Sequence, residues 1–208
     1  MTADHETSER VYTALKADLL AGGFAPGRLQ ITQLETRYSA SATPVREALL
    51  RLVGEGLIEM RSTGGFACPS LDEQDVRDLY EASLRLTLLA VAWRSAGGAA
   101  EGAAPSGRDL EPPIDVLLAD LARGADNPIF SAIIESINDR MCRIRQAEQW
   151  ELGGLNREFA NLDVLVRTGP EAKLRRAVHG YHRRRLDHAS GIARRIALRD
   201  AEHLHQKS

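Results

Sequence analysis

The side chains with the clearest chemical purpose lie between residues 30 and 66, where hydroxyl and guanidinium groups stand at the start of a predicted helix. Thr43 precedes Pro44, and Arg46 follows two residues later. Because threonine caps helix starts and proline suits the first helical position, Thr43 and Arg46 are predicted to share a helix N-terminus. An arginine there can bind guanine O6 and N7 in a major groove, and a hydroxyl can bind bases or phosphates. The pattern therefore indicates recognition of duplex DNA.

The surrounding sequence predicts the short elements that would hold those groups in place. Thr32 and Glu35 have the spacing of a capping box, so a helix is predicted to begin near Gln33 and to end in the small polar turn at residues 39–41. The next helix carries apolar residues at three- and four-residue steps, at Val45, Ala48, Leu49, Leu52 and Val53. Two strands, at residues 57–60 and 66–68, flank a glycine-containing turn. This order predicts a winged helix-turn-helix.

Further candidate contacts come from the same helices. The free N–H groups at the start of the shorter helix can bind phosphate, which gives Thr32 and Gln33 a backbone role. The apolar stripe of the longer helix leaves Arg46 and Arg51 facing outward. The alternative is a small packed helical unit that binds no DNA.

The segment from Val11 to Phe66 resembles the N-terminal domain of GntR-family bacterial transcription regulators, through the strings PGRL, ATPVREAL and LVGEGLIE. The resemblance implies that Thr43, Arg46 and the wing near residues 61–65 contact DNA. Many members place an arginine where this chain has Ala42, and another where it has Thr32. These departures predict either a different operator or weaker base readout. The candidate DNA contacts are therefore Thr32, Gln33, Ser41, Thr43, Arg46, Arg51, Arg61, Thr63 and Gly64.

Length and composition fit two domains in a mainly α chain. The 208 residues are 43% hydrophobic, enough for substantial cores. We predict a winged helix-turn-helix domain at residues 1–70, α-helical with a small β-hairpin wing, and an all-helical bundle at residues 71–208 that binds an effector and dimerises. Residues 96–113, rich in Gly, Ala, Pro and Ser, are predicted to form a flexible loop. The net charge of −2 provides no global attraction to nucleic acid, so affinity must come from local charge and dimerisation.

Periodicity and stop signals predict the helices of both domains. The first is expected at residues 7–21, and a long apolar-faced helix opens the second domain after residue 71. The later helices are expected at residues 114–123, 127–150, 154–167 and from 169 to about 200, the last broken around Ser190 and Gly191.

The second half resembles the helical effector domain of the FadR subfamily, through DLYEASLRL, the start Asp126-Asn127-Pro128 and REFANLDVLVRTGPEAKLRRAV. Many such relatives hold a divalent metal with one Asp and three His, a ligand set that suits Zn, Ni or Mn. The matching positions here are Ile114, Leu118, Phe159 and Tyr181. We therefore expect no metal and no cofactor.

The usual organic-acid effector is also in doubt, because an arginine and a glutamate common in relatives match Ser83 and Thr87. The bundle interior could hold a more apolar ligand, or nothing. The residues that would line such a site are Ser83, Thr87, Asn138, Arg143 and Tyr181. The alternative is ordinary surface or core polarity for each of them. The basic run from His179 to His188 is interpreted as a solvated helix face rather than a second phosphate contact.

The sequence thus predicts a homodimeric regulator, expected to be a repressor, that binds double-stranded DNA at a palindrome and responds to a small-molecule effector. Cys68 and Cys142 fall in separate predicted domains, which favours a reducing cytoplasm, and no apolar run has the length of a membrane span. No catalytic motif is evident. An effector-independent DNA-binding protein and, less favoured, a ligand- or metal-dependent helical-bundle enzyme remain the alternatives.

Overall fold

The computed structural model describes residues 3–96 and 114–205, with side chains described for residues 5–93 and 114–202. The helices are α1 (Ala3–Leu20), α2 (Ile31–Tyr38), α3 (Ala42–Gly54), α4 (Glu73–Ala96), α5 (Ile114–Arg123), α6 (Pro128–Arg140), α7 (Cys142–Glu151), α8 (Leu155–Thr168), α9 (Glu171–Asp187) and α10 (Ala189–His205). The strands are β1 (Gly27–Leu29), β2 (Glu59–Met60) and β3 (Phe66–Cys68). From residue 97 onward, the predicted flexible loop lies outside the described residues.

The mainly α fold class is confirmed, with a small antiparallel sheet of order β1-β3-β2. The predicted hairpin is present as β2 and β3, although Leu57 and Ile58 precede the strand instead of belonging to it. The third strand, β1, was not predicted. It pairs Arg28 with Ala67 and Leu29 with Phe66, and three residues are too few to show an alternating pattern.

The described residues divide into two compact units, one formed by the residues up to Leu71 together with those from Ile196, the other by Asp72–Arg195. In the first unit, α1, α2, α3 and the sheet bury a common core. Each fully buried aliphatic or aromatic side chain contributes about 1.5–3 kcal/mol. The side chains at its centre are Val11, Leu15, Leu34, Val45, Leu49, Leu52, Ile58 and Phe66.

The second unit is a helical bundle with a separate core. Its long first helix, α4, is present as predicted, and α5 has the predicted bounds. The core side chains come from α4, α5, α6, α8 and α9. They include Val91, Leu117, Leu121, Phe130, Leu162, Leu174 and Val178.

Two helix boundaries in this unit differ from the prediction. The single helix expected at residues 127–150 is wrong, because α6 and α7 are separated at Met141, whose side chain is fully buried. The break near the C-terminus falls at His188 rather than at Ser190 and Gly191. Gly191 lies inside α10, where a β-carbon would collide with the carboxylate of Glu151, so close packing explains this glycine better than a helix stop.

Among the described residues, none of the helices combines the length and apolarity needed to cross a bilayer. Cys68 is buried in the first unit, and Cys142 is half-buried in the second.

Candidate functional site

The start of α3 presents a polar face that the fold leaves uncovered. Its opposite side is buried through Val45, Ala48, Leu49 and Leu52. Because residues three and four apart share a helix face, the exposed residues form one strip. This strip contains Ser41, Thr43, Arg46, Glu47 and Leu50.

The helix cap differs from the prediction by two residues. Ser41, not Thr43, is the N-cap residue, and its extended backbone has φ −74° and ψ 171°. Its side chain makes no capping hydrogen bond. Thr43 is therefore the second helical residue, and Pro44 lies in the first turn. An N–H in the first turn has no acceptor within the helix, so the lack of this group in proline costs nothing there. Both hydroxyl groups remain exposed at the front of α3.

The expected capping box of α2 is also wrong. Gln30 is the N-cap residue, and the hydroxyl of Thr36 donates to the backbone carbonyl of Thr32 inside the helix. The N–H of Gln33 is bonded to the carbonyl of Gln30 at 3.1 Å, so it is not a free backbone donor for phosphate. The side chains of Thr32 and Gln33 are nevertheless exposed in the first turn of α2.

The turn between α2 and α3 is held against α1. Ser39 has a left-handed backbone, with φ 48°, and ends α2. The guanidinium of Arg10 donates to the carbonyls of Tyr38 at 2.9 Å and Ser39 at 3.3 Å. The hydroxyl of Tyr38 donates to Asp18 at 2.6 Å, and burial together with this bond raises the pKa of Tyr38. These contacts tie the end of α2 and the start of the turn to α1.

Two arginines of α3 have opposite environments. The guanidinium of Arg46 makes no hydrogen bond or ion pair with any residue that the structure describes. Arg51 is bonded to Glu9 of α1 at 2.7 Å, and its guanidinium lies 3.5 Å from the centre of the Tyr12 ring. Arg51 therefore joins α1 to α3, whereas Arg46 is free to reach a ligand.

The wing is a tight turn between β2 and β3. The N–H of Arg61 donates to the carbonyl of Gly65 at 3.0 Å, and the N–H of Gly64 donates to the carbonyl of Arg61 at 2.9 Å. Gly64 and Gly65 have φ of 85° and 86°, which other residues rarely adopt. The side chains of Arg61 and Thr63, and Gly64 itself, are exposed at the tip.

Sequence reasoning missed two residues near this surface. Leu50 is 51% exposed on the same face of α3 as Arg46. Its position outside the apolar stripe of α3 could have indicated that it is exposed. Arg28 in β1 is also exposed, and a β-carbon on Gly65 would lie 4.0 Å from its Nε. No sequence signal marked Arg28, since β1 itself was not predicted.

Three of the five predicted effector residues meet in the interior of the second unit. Ser83 and Thr87 are buried on α4, where the Thr87 hydroxyl donates to the Ser83 carbonyl at 2.7 Å. The Ser83 hydroxyl lies 3.1 Å from Nε2 of buried His182, which is next to Tyr181 on α9. Because Nδ1 of His182 lies 2.8 Å from the carbonyl of Val178, this nitrogen carries the proton and Nε2 accepts from Ser83.

The remaining two effector candidates, Asn138 and Arg143, lie on α6 and α7. Asn138 is buried and donates to the carbonyl of Asp115 at 3.2 Å. Its own carbonyl accepts from Nη2 of Arg145 at 2.8 Å. Arg143 is only partly buried near the start of α7. Arg145, which the sequence did not single out, is therefore the arginine of α7 that enters the polar interior.

Several polar atoms in this interior lack partners. Among the described residues, no hydrogen-bond partner exists for the buried hydroxyl of Tyr181 or for Nε and Nη1 of Arg145. Burial raises the pKa of Tyr181, and the nearby charges of Arg185 and Arg145 oppose that shift. Unsatisfied buried donors are uncommon in folded proteins, so these atoms suggest a missing acceptor.

Within residues 3–96 and 114–205, no three His, Cys, Asp or Glu residues are grouped as a metal would require. Ile114 and Leu118 are buried core residues of α5, and Tyr181 faces the same core.

Comparison with known proteins finds a family match within the first unit. Residues 7–67 match the model for bacterial regulatory proteins of the gntR family. The HTH-type transcriptional repressor GlaR of Escherichia coli (strain K12) is 33% identical over 96 residues, which cover 46% of this chain and 44% of GlaR. The regulator McbR of the same organism is 34% identical over 84 residues, covering 40% and 38%. The chain thus spans less than half the length of the curated relatives it matches.

Solved structures extend the likeness in fold to most of the chain. The structure of E. coli McbR/YncC has a TM-score of 0.64 at 19% identity, covering 91% of this chain and 98% of that one. A structural-genomics structure of a GntR protein from Rhodococcus sp. RHA1 has a TM-score of 0.69 at 16% identity, covering 88% and 97%. At these identities the likeness shows the fold alone. The family match itself is confined to the first unit, where residues 7–67 are similar to the gntR family of bacterial regulatory proteins.

Proposed function

We propose that this protein is a sequence-specific DNA-binding transcription regulator whose α3 enters the major groove. The observation that carries the proposal is the exposed strip at the front of α3, in which Thr43 and Arg46 have no role in holding the fold. In a gntR-family domain this strip and the adjacent wing are the natural DNA surface. Ser41, Arg61, Thr63 and Gly64 are assigned to phosphate contacts around it, with the side chains of Thr32 and Gln33 at the edge.

Arg51 has a different role in this proposal. Its bonds to Glu9 and its stacking on Tyr12 hold α1 against α3, so it supports the recognition helix from the side away from DNA. Arg46 and Arg51 are therefore a matched pair of arginines on α3. Loss of Arg46 should weaken DNA binding, whereas loss of Arg51 should weaken the fold.

The test compares Arg46→Ala with Arg51→Ala. Duplexes bound by the wild-type protein are first selected from genomic fragments, and affinity is then measured by fluorescence anisotropy at fixed salt. Arg46→Ala should weaken operator binding by about 1–3 kcal/mol, roughly 5- to 150-fold, with little change in stability. Arg51→Ala should instead lower the free energy of unfolding by about 1–2 kcal/mol, through loss of the ion pair and the aromatic contact. Equal affinities for operator and random duplex in the wild type would refute sequence-specific binding.

We place a homodimer interface on α4 and α6. Leu89 and Trp93 lie one turn apart on α4, and Ile129 and Ile133 lie one turn apart on α6. All four side chains are at least 38% exposed, and Ile129 is 73% exposed. The two helices are adjacent, since the Trp93 ring packs edge-on against Phe130 with centroids 4.9 Å apart. Such a concentration of exposed apolar groups is typical of an interface.

The oligomeric state can be measured by light scattering coupled to size-exclusion chromatography. Ile129→Glu should yield a monomer, because dimerisation would bury an unpaired carboxylate of each protomer in an apolar interface. Val164→Glu, at an apolar residue of α8 that is 60% exposed, should leave the dimer intact and serves as the control. A wild-type protein that is monomeric at all concentrations would exclude this arrangement.

A small anionic effector is the ligand best suited to the interior of the second unit. The unpaired Nε and Nη1 of Arg145 and the unpaired hydroxyl of Tyr181 are donors that a carboxylate could satisfy. In a panel of small carboxylates, a bound compound should raise the melting temperature of the wild type but not of Arg145→Met. If the same compounds stabilise both proteins equally, the site is elsewhere.

We assign repression as the mode of action, since GlaR is named a repressor. A reporter placed behind a selected operator should rise in expression when the gene for this chain is deleted. Lower expression after deletion would identify an activator.

A further inference from the structure

Arg28 lies in β1, outside the helix-turn-helix, and the sheet fixes the direction of its side chain. Its neighbour Leu29 is buried in the core of the first unit. Because successive residues of a strand point to opposite faces, Arg28 must project from the outer face of the sheet. On that face it lies in one row with Ala67 of β3 and Glu59 of β2.

The side chain of Arg28 reaches the wing. A β-carbon built on Gly65 would lie 4.0 Å from Nε of Arg28. The carbonyl of Gly65 accepts the N–H of Arg61, so Gly65 and Arg61 close the same turn. Arg28, from β1, and Arg61, from the turn after β2, therefore both bring positive charge to the wing.

Neither wing arginine is used to hold the fold together. Within the described residues, the guanidinium groups of Arg28 and Arg61 make no hydrogen bond and no ion pair. By contrast, the guanidinium groups of two other arginines have internal partners. Arg10 donates to the carbonyl of Tyr38 at the end of α2, and Arg37 pairs with Asp18 at 2.6 Å. Glu59 shares a row with Arg28, yet the two do not pair. An exposed guanidinium without an internal partner is suited to bidentate binding of a phosphate.

We propose that Arg28 binds the DNA phosphate backbone beside the wing, as the partner of Arg61. The ligand is a phosphodiester oxygen, so the contact adds affinity without reading the base sequence. The assignment rests on the proposed DNA-binding function. It adds a residue from the first strand to a surface otherwise built from α2, α3 and the wing turn.

The test is the salt dependence of binding, measured by anisotropy from 50 to 300 mM KCl on a selected operator and on random duplex. Each phosphate contact contributes about 0.9 to the slope of log affinity against log salt, which corresponds to roughly eightfold in affinity at 0.1 M salt. Arg28→Ala should lower the slope by about 0.9 per protomer, or about 1.8 for a bound dimer, on both duplexes alike. Arg28→Lys keeps the charge and should keep most of the slope.

Two further variants act as controls. Arg176→Ala removes an exposed arginine from α9 in the second unit and should leave the slope unchanged. Glu59→Gln removes a negative charge from the same face of the sheet and should strengthen binding to both duplexes. Thermal unfolding of each variant shows that the fold is retained.

The outcomes separate this assignment from the proposed function. If the wild type binds its operator and Arg28→Ala keeps the wild-type slope and affinity, the Arg28 assignment alone is wrong. If Arg28→Ala weakens binding to the operator only, and the slope of log affinity against log salt is unchanged, Arg28 contacts a base and the proposal is overturned. If the wild type binds no duplex at all, both ideas fail together.

Discussion

Arg185 of α9 is a fully buried cation whose removal gives the sharpest test of the second unit. Its Nε donates to Oε2 of Glu148 at 2.9 Å, and Nη2 lies 2.8 Å from the same oxygen in ion-pair contact. Nη1 lies 2.9 Å from Glu158 and donates to the carbonyl of Tyr181 at 3.0 Å. The guanidinium also stacks on the Tyr181 ring at 3.4 Å. The hydroxyl of Tyr80 donates to the other oxygen of Glu148, so the cluster joins α4, α7, α8 and α9.

The stability that the protein should lose on removal of Arg185 follows from the burial of its ion pair with Glu148. Arg185 is 0% exposed and Glu148 is 1% exposed, so neither charge can be hydrated if its partner is removed. Arg185→Met keeps most of the side-chain volume but leaves the Glu148 carboxylate buried without its cation. Breaking such a pair costs about 3–5 kcal/mol. For a chain of this size the melting temperature should fall by roughly 6–20 °C, at about 2–4 °C per kcal/mol.

Urea unfolding followed by circular dichroism measures this loss in a double-mutant cycle. Glu148→Gln keeps an acceptor for Tyr80, and the double variant Arg185→Met with Glu148→Gln should lose less stability than the two single losses added together. Arg175→Met is the control on the same helix, because its pair with Glu171 is 3.8 Å long and more than 40% exposed on both sides. That variant should change the free energy of unfolding by less than about 1 kcal/mol. If Arg185→Met is as mild as the control, the cluster does not hold the bundle together.

Substitutions at three further residues test other contacts. Burial lowers the pKa of His182 to about 4, below the value in the unfolded chain. As the pH falls, the unfolded chain therefore takes up this proton before the folded one does. The contribution of neutral His182 to the free energy of unfolding should be complete above about pH 6.5 and should fall by about 3 kcal/mol toward pH 4. His182→Gln should remove that part of the acid sensitivity in melting curves taken between pH 4 and pH 7, and an unchanged pH profile would contradict the assignment. Asn127→Ala should cost about 1 kcal/mol because the Asn127 side chain accepts the N–H of Phe130 at 3.1 Å, whereas Asn127→Asp should be nearly neutral in the same urea titration. Gly169→Ala should cost about 1–3 kcal/mol, since its β-carbon would lie 2.7 Å from the backbone of Leu165, and a neutral result would show that α8 can shift.

The elements of the first unit could be predicted because each one repeats a simple pattern. The apolar steps of α3 and the glycines of the wing turn predicted a helix and a hairpin at nearly the right residues. The helix caps could not be placed in the same way. Thr32 and Thr43 are good capping residues, but a cap is worth only about 1 kcal/mol, and packing of Leu34 and Val45 into the core contributes more. The helices therefore begin earlier, at residues whose side chains make no capping bond.

The polar interior of the second unit could not be predicted from spacing alone. Arg185 belongs to a run of three arginines that has the composition of a solvated helix face. Its burial is explained only by Glu148 and Glu158, which lie on two other helices. The same holds for Arg145, whose partner Asn138 lies on α6. A charged side chain becomes a core residue through partners distant in sequence, and periodicity does not report such partners.

The distribution of free charge in the first unit also bears on how the protein would select DNA. In the part of the chain that the structure describes, Arg28 and Arg61 bring unpaired charge to the wing, while Arg10, Arg37 and Arg51 are engaged within the domain. Two phosphate contacts made by arginines in each protomer would give a monomer a salt slope of about 1.8 and the proposed dimer about 3.6, which means losses of roughly 12-fold and 150-fold between 50 and 200 mM salt. This dependence is shallow for a DNA-binding protein, so little affinity for random duplex is expected at physiological salt. If the protein binds DNA as proposed, its selectivity would come from base contacts by Thr43, Arg46 and Leu50, made twice in the proposed dimer.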